Sequence, residues 1–120
     1  MMDNYILLLH ESSIFGKDLS PDEIQAIIAR YKAWRQKTAA AGRLTGGQKL
    51  EDGTARIMTG EGPPNLRVTD GPYAETKDVI GGFFMIQASS YEDAVEWCKD
   101  CPHLSYGTIE LRKVEVVPGL

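Results

Sequence analysis

Tyr5 to Leu9 reads YILLL and Gly81 to Ala88 reads GGFFMIQA. Both are short apolar runs whose length favours a buried strand over a helix. Side chains alternate across a strand, so Tyr5, Leu7 and Leu9 share one face while Ile6 and Leu8 share the other. Phe83 and Met85 likewise oppose Phe84 and Ile86. A sheet built on these strands is apolar on both faces, and both must be covered. An apolar face of more than a few hundred Å² is rarely left in water, so the second cover is expected to be another copy of the chain, packed sheet to sheet as a homodimer.

The first cover is written elsewhere in the sequence. Ser20-Pro21-Asp22-Glu23 supplies an N-cap, a first-turn proline and a reciprocal acid. Ile24, Ile27, Ile28, Tyr31 and Trp34 then recur at helical spacing as far as Gly42, which predicts a long helix with these residues in the core. A second helix is predicted to open at Ser89-Ser90-Tyr91-Glu92, which reads like a capping box, with Tyr91, Ala94, Val95 and Cys98 at helical spacing and Pro102 as its stop.

Between the helices, Leu44–Leu50 and Thr54–Met58 flank Asp52-Gly53, which suits a type I′ turn and predicts a hairpin. TGEGPPN at 59–65 is a turn-rich loop, followed by a short extended piece from Leu66 to Thr69. Tyr106 to Val117 is predicted as the last strand. The order β, α, β-hairpin, β, α, β predicts an α+β ferredoxin-like sandwich (βαβ-βαβ), with two helices on one face of an antiparallel sheet.

A chain of 120 residues suits one domain, here 1–120, with a single core. Its formal net charge is −4 and its 13 basic residues are scattered, which argues against a nucleic-acid partner. The N-terminus lacks a basic n-region, and its longest apolar run is too short for a signal peptide or membrane span, so a cytoplasmic location is expected.

Cys98 and Cys101 form a C-x-x-C followed by His103. They fall at a helix C-terminus, where the dipole disfavours the thiolate that redox motifs stabilise at an N-terminus. Zinc would need four ligands, and His10 is distant in sequence. The pair is read as core cysteine, with no metal site, and no cofactor motif is present.

The densest polar stretch is TDGPYAETKD at 69–78. Asp70-Gly71-Pro72 is turn chemistry. Around it Arg67, Tyr73, Glu75 and Lys77 could hold a small-molecule ligand, and Asp70 beside Glu75 could have a raised pKa suited to a general acid. A solvated loop would have the same composition. In the last strand Thr108, Glu110 and Arg112 share a face opposite Ile109 and Leu111. If the apolar pair meets the helices, the polar trio could line a small-molecule pocket on the open face, or form a charged row at a solvated edge.

TDGPYAETKDVIGGFFMIQA, CPHLSYGTIELRKVEV, LLLHES and YKAWRQKTAAAGRLTGGQKL together resemble the DGPF subgroup of YCII-related bacterial proteins. Its signature tetrad is represented here by Asp70-Gly71-Pro72-Tyr73, with Tyr73 and Asp78 as conservative departures. The resemblance implies a ferredoxin-like subunit of a dimeric α/β barrel. It also implies a cleft with an aspartate, which maps to Asp70, and a histidine, for which His10 and His103 are the candidates. Tyr106, Glu110 and Arg112 would orient a compact polar substrate in a cofactor-free lyase, isomerase or hydrolase. The alternative is a ligand-sensing or partner-binding module associated with an extracytoplasmic-function sigma factor.

Overall fold

The computed structural model describes residues 1–71 and 78–120. Strand β1 (Asp3–Ser12) leads to helix α1 (Pro21–Ala40), strands β2 (Leu44–Lys49), β3 (Ala55–Thr59), β4 (Arg67–Gly71) and β5 (Asp78–Ala88), helix α2 (Tyr91–Cys98), a 3₁₀ turn (Pro102–Ser105) and strand β6 (Thr108–Lys113). Four strands form one sheet in the order β2-β5-β1-β6. Its described pairings, β1 with β5, β1 with β6 and β2 with β5, are all antiparallel. This is the expected α+β ferredoxin-like arrangement.

Tyr5, Leu7 and Leu9 of β1 and Phe84, Ile86 and Ala88 of β5 are buried with Trp34 of α1, Ala94 and Cys98 of α2, and Cys101. Both helices therefore cover one face, and Ile109 and Leu111 of β6 pack against the same cluster. Ile6, Leu8, Phe83 and Met85 point to the other face and are only partly buried. The two-sided reading of these strands holds, because a pleated strand cannot place adjacent residues on one face.

Helix α1 starts with the capping box expected at Ser20 and Glu23. Its core contact is shifted toward its C-terminal half: Trp34 and Thr38 are buried, whereas Ile24 and Ile28 are exposed. Its first turns therefore lie outside the buried cluster, which meets the helix at Trp34 and Thr38.

The middle of the chain departs from the hairpin reading. β2 joins the main sheet beside β5, while β3 pairs with β4 in a separate two-stranded ribbon. Gly53 does adopt a positive φ, but the turn it makes carries the chain out of the sheet rather than back along β2. Local turn chemistry permitted a hairpin; pairing with the distant apolar β5 took precedence for β2. Asp70 and Gly71, read as a turn, close β4, and the predicted turn residue Pro72 lies outside the described residues. The radius of gyration is 16.6 Å, against roughly 13–14 Å for a compact chain of this length, in keeping with a projecting ribbon.

Candidate functional site

The register of β1 on β5 slips once. Leu9 pairs with Gly82 and His10 with Ile80, leaving Gly81 as an extra residue on β5. A one-residue bulge reverses the phase of the strand beyond it. Without the slip, Asp78 and Ile80 would share the helix-covered face with Phe84 and Ile86. With it they join Phe83, Met85 and His10 on the open face.

β6 flanks β1 on its other side. Leu8 pairs with Glu110 and His10 with Thr108, so Glu110 is a diagonal neighbour of His10 on the same face. Asp78, opposite Ser12, is the diagonal neighbour on the β5 side. The imidazole spans the two: Nδ1 is 2.8 Å from Asp78 Oδ2 and Nε2 is 2.8 Å from Glu110 Oε1. An ionised carboxylate only accepts, so two such bonds require both ring nitrogens to carry hydrogen, which is the imidazolium form. The hydrogen bond to Glu110, followed by that to Asp78, raises the pKa of His10 above its ordinary value.

The site opens into a cleft of ≈ 430 Å³ between the ends of β1 and β5 and the segment that leaves β2. Its lining residues include His10 and Asp78 from the open face, and Glu11 and Val79, which pair with each other on the helix-covered side of the strand ends, with Phe15 and Ile57 beside them. Burial raises the pKa of the Glu11 carboxyl. Its side chain rests on Gly81, where a Cβ would lie 1.8 Å from Glu11 Oε1, so the bulge glycine also makes room for this acid. A shallower depression of ≈ 290 Å³ involves Arg30, Trp34, Lys37 and Asp100, where Lys37 and Asp100 are ion-paired.

His103 has a different environment. It is 2% exposed, with Nε2 2.7 Å from the His10 carbonyl oxygen and Nδ1 2.8 Å from the Tyr31 hydroxyl. Burial lowers its pKa, so it is held neutral. The two histidines thus have opposite electrostatic characters.

Asp70 lies elsewhere. In the ribbon Arg56 pairs with Asp70 and Ile57 with Thr69. Ala55 and Ile57 line the cleft, so alternation places Arg56 and Asp70 on the ribbon's opposite side. Asp70 is 3.3 Å from the Arg56 guanidinium and largely exposed. Within the chain, the described contacts join His10 to Asp78 and Glu110, not to Asp70. Arg67 is at the exposed start of β4. Tyr106 is on the α1 side, bonded to Arg30 and packed 5.5 Å from Phe15. Arg112 is 4.0 Å from Glu110 and pairs with Ile6, on the side of Glu110 away from His10. Tyr73, Glu75 and Lys77 lie outside the described residues.

Glu11 was not among the expected site residues, and Asp78 was expected only as one of the polar residues of the 69–78 stretch, not as a partner of His10. The diglycine at 81–82 was the available signal, since glycine in a strand marks a bulge, but the phase reversal exists only once β1 and β5 pair. Cys98 and Cys101 are free and buried, with thiol pKa values pushed by burial up to about 12 and about 11. Among the described residues no cluster of His, Cys, Asp or Glu could hold a metal ion. No helix among them is long and apolar enough to cross a membrane.

The YCII-related domain model matches residues 8–117. The chain belongs to the YCII-related family. An uncharacterised protein of Rhizobium meliloti (strain 1021) is 27% identical over 118 residues, covering 96% of this chain and 95% of that protein. The match to this YCII-related chain is therefore end to end, and it carries no assigned reaction with it.

Proposed function

We propose that this YCII-related protein binds a compact polar molecule in the cleft at the β1–β5 end and moves a proton on it with His10. The observation that carries this reading is the imidazole bonded on both nitrogens by carboxylates from different strands. Glu110, with Arg112 beyond it, orients Nε2. Nδ1 faces Asp78, which is 65% exposed and lines the cleft, so this is the side on which a ligand can replace the carboxylate. The arrangement suits a cofactor-free isomerase, lyase or hydrolase step in which His10 acts as acid and then as base. Apolar Phe15, Ile57 and Val79 would exclude water from one side of the bound molecule.

The protein is further proposed to work as a homodimer of the DGPF type, with Ile6, Leu8, Phe83 and Met85 covered by the same residues of a second copy. An isologous contact of this kind would enclose the open face that carries His10 and Glu110.

The test is a thermal-shift screen of small acids, phenols and other compact metabolites, followed by His10 ring NMR and a turnover assay on each hit. The reading expects a compound that stabilises wild type, perturbs the His10 ring, loses its effect in His10→Asn and keeps it in Asp70→Asn. A compound that binds His10→Asn as well as wild type would overturn it. Binding that needs His10 but produces no turnover would favour a ligand-sensing module, of the kind associated with an extracytoplasmic-function sigma factor.

A further inference from the structure

Behind the candidate site, three segments meet at one backbone oxygen. The His10 carbonyl can only accept, so His103 Nε2, at 2.7 Å, must carry the ring hydrogen. His103 is neutral, so Nδ1 is left as an acceptor and the Tyr31 hydroxyl donates to it at 2.8 Å. Burial raises the Tyr31 pKa, which keeps that hydroxyl protonated. The tautomer of a buried ring is therefore fixed from both ends.

Gly107 makes the approach possible. A Cβ there would lie 2.0 Å from the His10 carbonyl oxygen and 2.8 Å from His103 Nε2. The Gly107 N–H in turn donates to the His103 carbonyl oxygen at 2.8 Å. His103 belongs to the 3₁₀ turn that feeds β6, and β6 carries Glu110. The ring thus ties the backbone of β1 at His10 to the segment that delivers the carboxylate on His10 Nε2.

We infer that His103 is a positioning residue, which sets the separation of His10 and Glu110 by clamping the β1 backbone to the approach of β6. This rests on the reading of His10 as the proton-transfer group. A histidine that merely fills the core would support stability and leave the His10 imidazole unaffected. The charged and titratable groups around the pair are Asp78, Glu110 and, through Glu110, Arg112 at His10, and Tyr31 and Cys101 at His103.

The experiment is an NMR titration of the His10 ring in the full chain, without ligand, for wild type, His103→Leu and His103→Gln. His103→Leu removes the donor and is expected to lower the His10 pKa by about 0.5 unit or more, a change of about threefold or more in proton affinity. His103→Gln, whose amide can donate to the same carbonyl, is expected to recover most of that loss. An unchanged His10 pKa in folded His103→Leu would overturn the inference. If His103→Leu does not fold, Tyr31→Phe, which removes the hydroxyl holding Nδ1, replaces it: a lowered His10 pKa supports the inference and an unchanged one overturns it. Because no ligand is present, the outcomes separate. A His10 that responds to His103 but plays no part in ligand binding would sink the proton-transfer reading and leave the positioning role standing.

Discussion

Nε2 of His10 lies 2.8 Å from Oε1 of Glu110, a residue one hundred positions further along the chain. Antiparallel pairing of β1 with β6 creates this contact, and it is the largest cause of the raised His10 pKa, ahead of Asp78. Glu110→Gln should therefore lower the His10 pKa toward its ordinary value of 6.5, and Asp78→Asn should lower it by less. Ring-proton NMR against pH measures both. The sign for stability follows from linkage. The native pKa is raised above the unfolded one, so the contribution is complete below about pH 6.5 and disappears as pH rises through the native value.

His103 should act with the opposite slope. Burial lowers its native pKa, so the unfolded chain takes up this proton more readily than the folded one. Its contribution is present above about pH 6.5 and is lost progressively as pH falls below that value. Denaturant midpoints measured between pH 5 and 8 should decline less steeply toward acid in His103→Gln than in wild type. An identical acid decline in both would show that this ring is not held neutral by the fold.

Ser20 should matter more than its exposure suggests. Its side chain accepts from the Glu23 N–H at 3.1 Å, while Glu23 accepts from the Ser20 N–H at 3.2 Å. The first half of α1 buries little, so this end depends on its cap. Ser20→Ala should cost about 1 kcal/mol in denaturant unfolding. Hydrogen exchange should quicken first at the amides of Glu23 and Ile24, with those near Trp34 following only through global unfolding.

Cys98 and Cys101 should be inert in the native protein. Both are buried, and their thiol pKa values of about 12 and about 11 leave almost no thiolate at neutral pH. A thiol reagent such as dithionitrobenzoate should react with neither until denaturant is added, and then with both. Rapid reaction of either cysteine in the folded protein would reopen a redox role for the C-x-x-C.

Legibility in the sequence followed the range of the interactions. The capping box of α1 and the alternation along β1, β5 and β6 are local, and each could be read from neighbouring residues; at α2 the start was legible, but the N-cap is Ser90, which accepts from the Asp93 N–H, rather than the first residue of a box from Ser89 to Glu92. The alternation also placed Ile109 and Leu111 toward the helices and Glu110 on the open face. The separate β3–β4 ribbon was not legible, because the partner of β2 is a strand more than thirty residues away. The exposure of Ile24 and Ile28 was hidden for a similar reason: helical periodicity identifies an apolar stripe, but only the tertiary packing decides which part of it meets the core.

By itself, the sequence determined that this chain has an antiparallel sheet with apolar residues on both faces, two helices to cover one of them, and a histidine directly after the apolar run of its first strand. Those properties follow from periodicities of two and 3.6 residues, which need no knowledge of distant contacts. Only the tertiary structure decided which acids meet that histidine. The extra residue at Gly81 reverses the phase of β5 and brings Asp78 to His10's face, while pairing with β6 brings Glu110 from the other side. Ribbon formation turns Asp70 toward Arg56, away from the cleft-lining side. Strand register is a property of pairs of strands, so it appears only when the chain has folded.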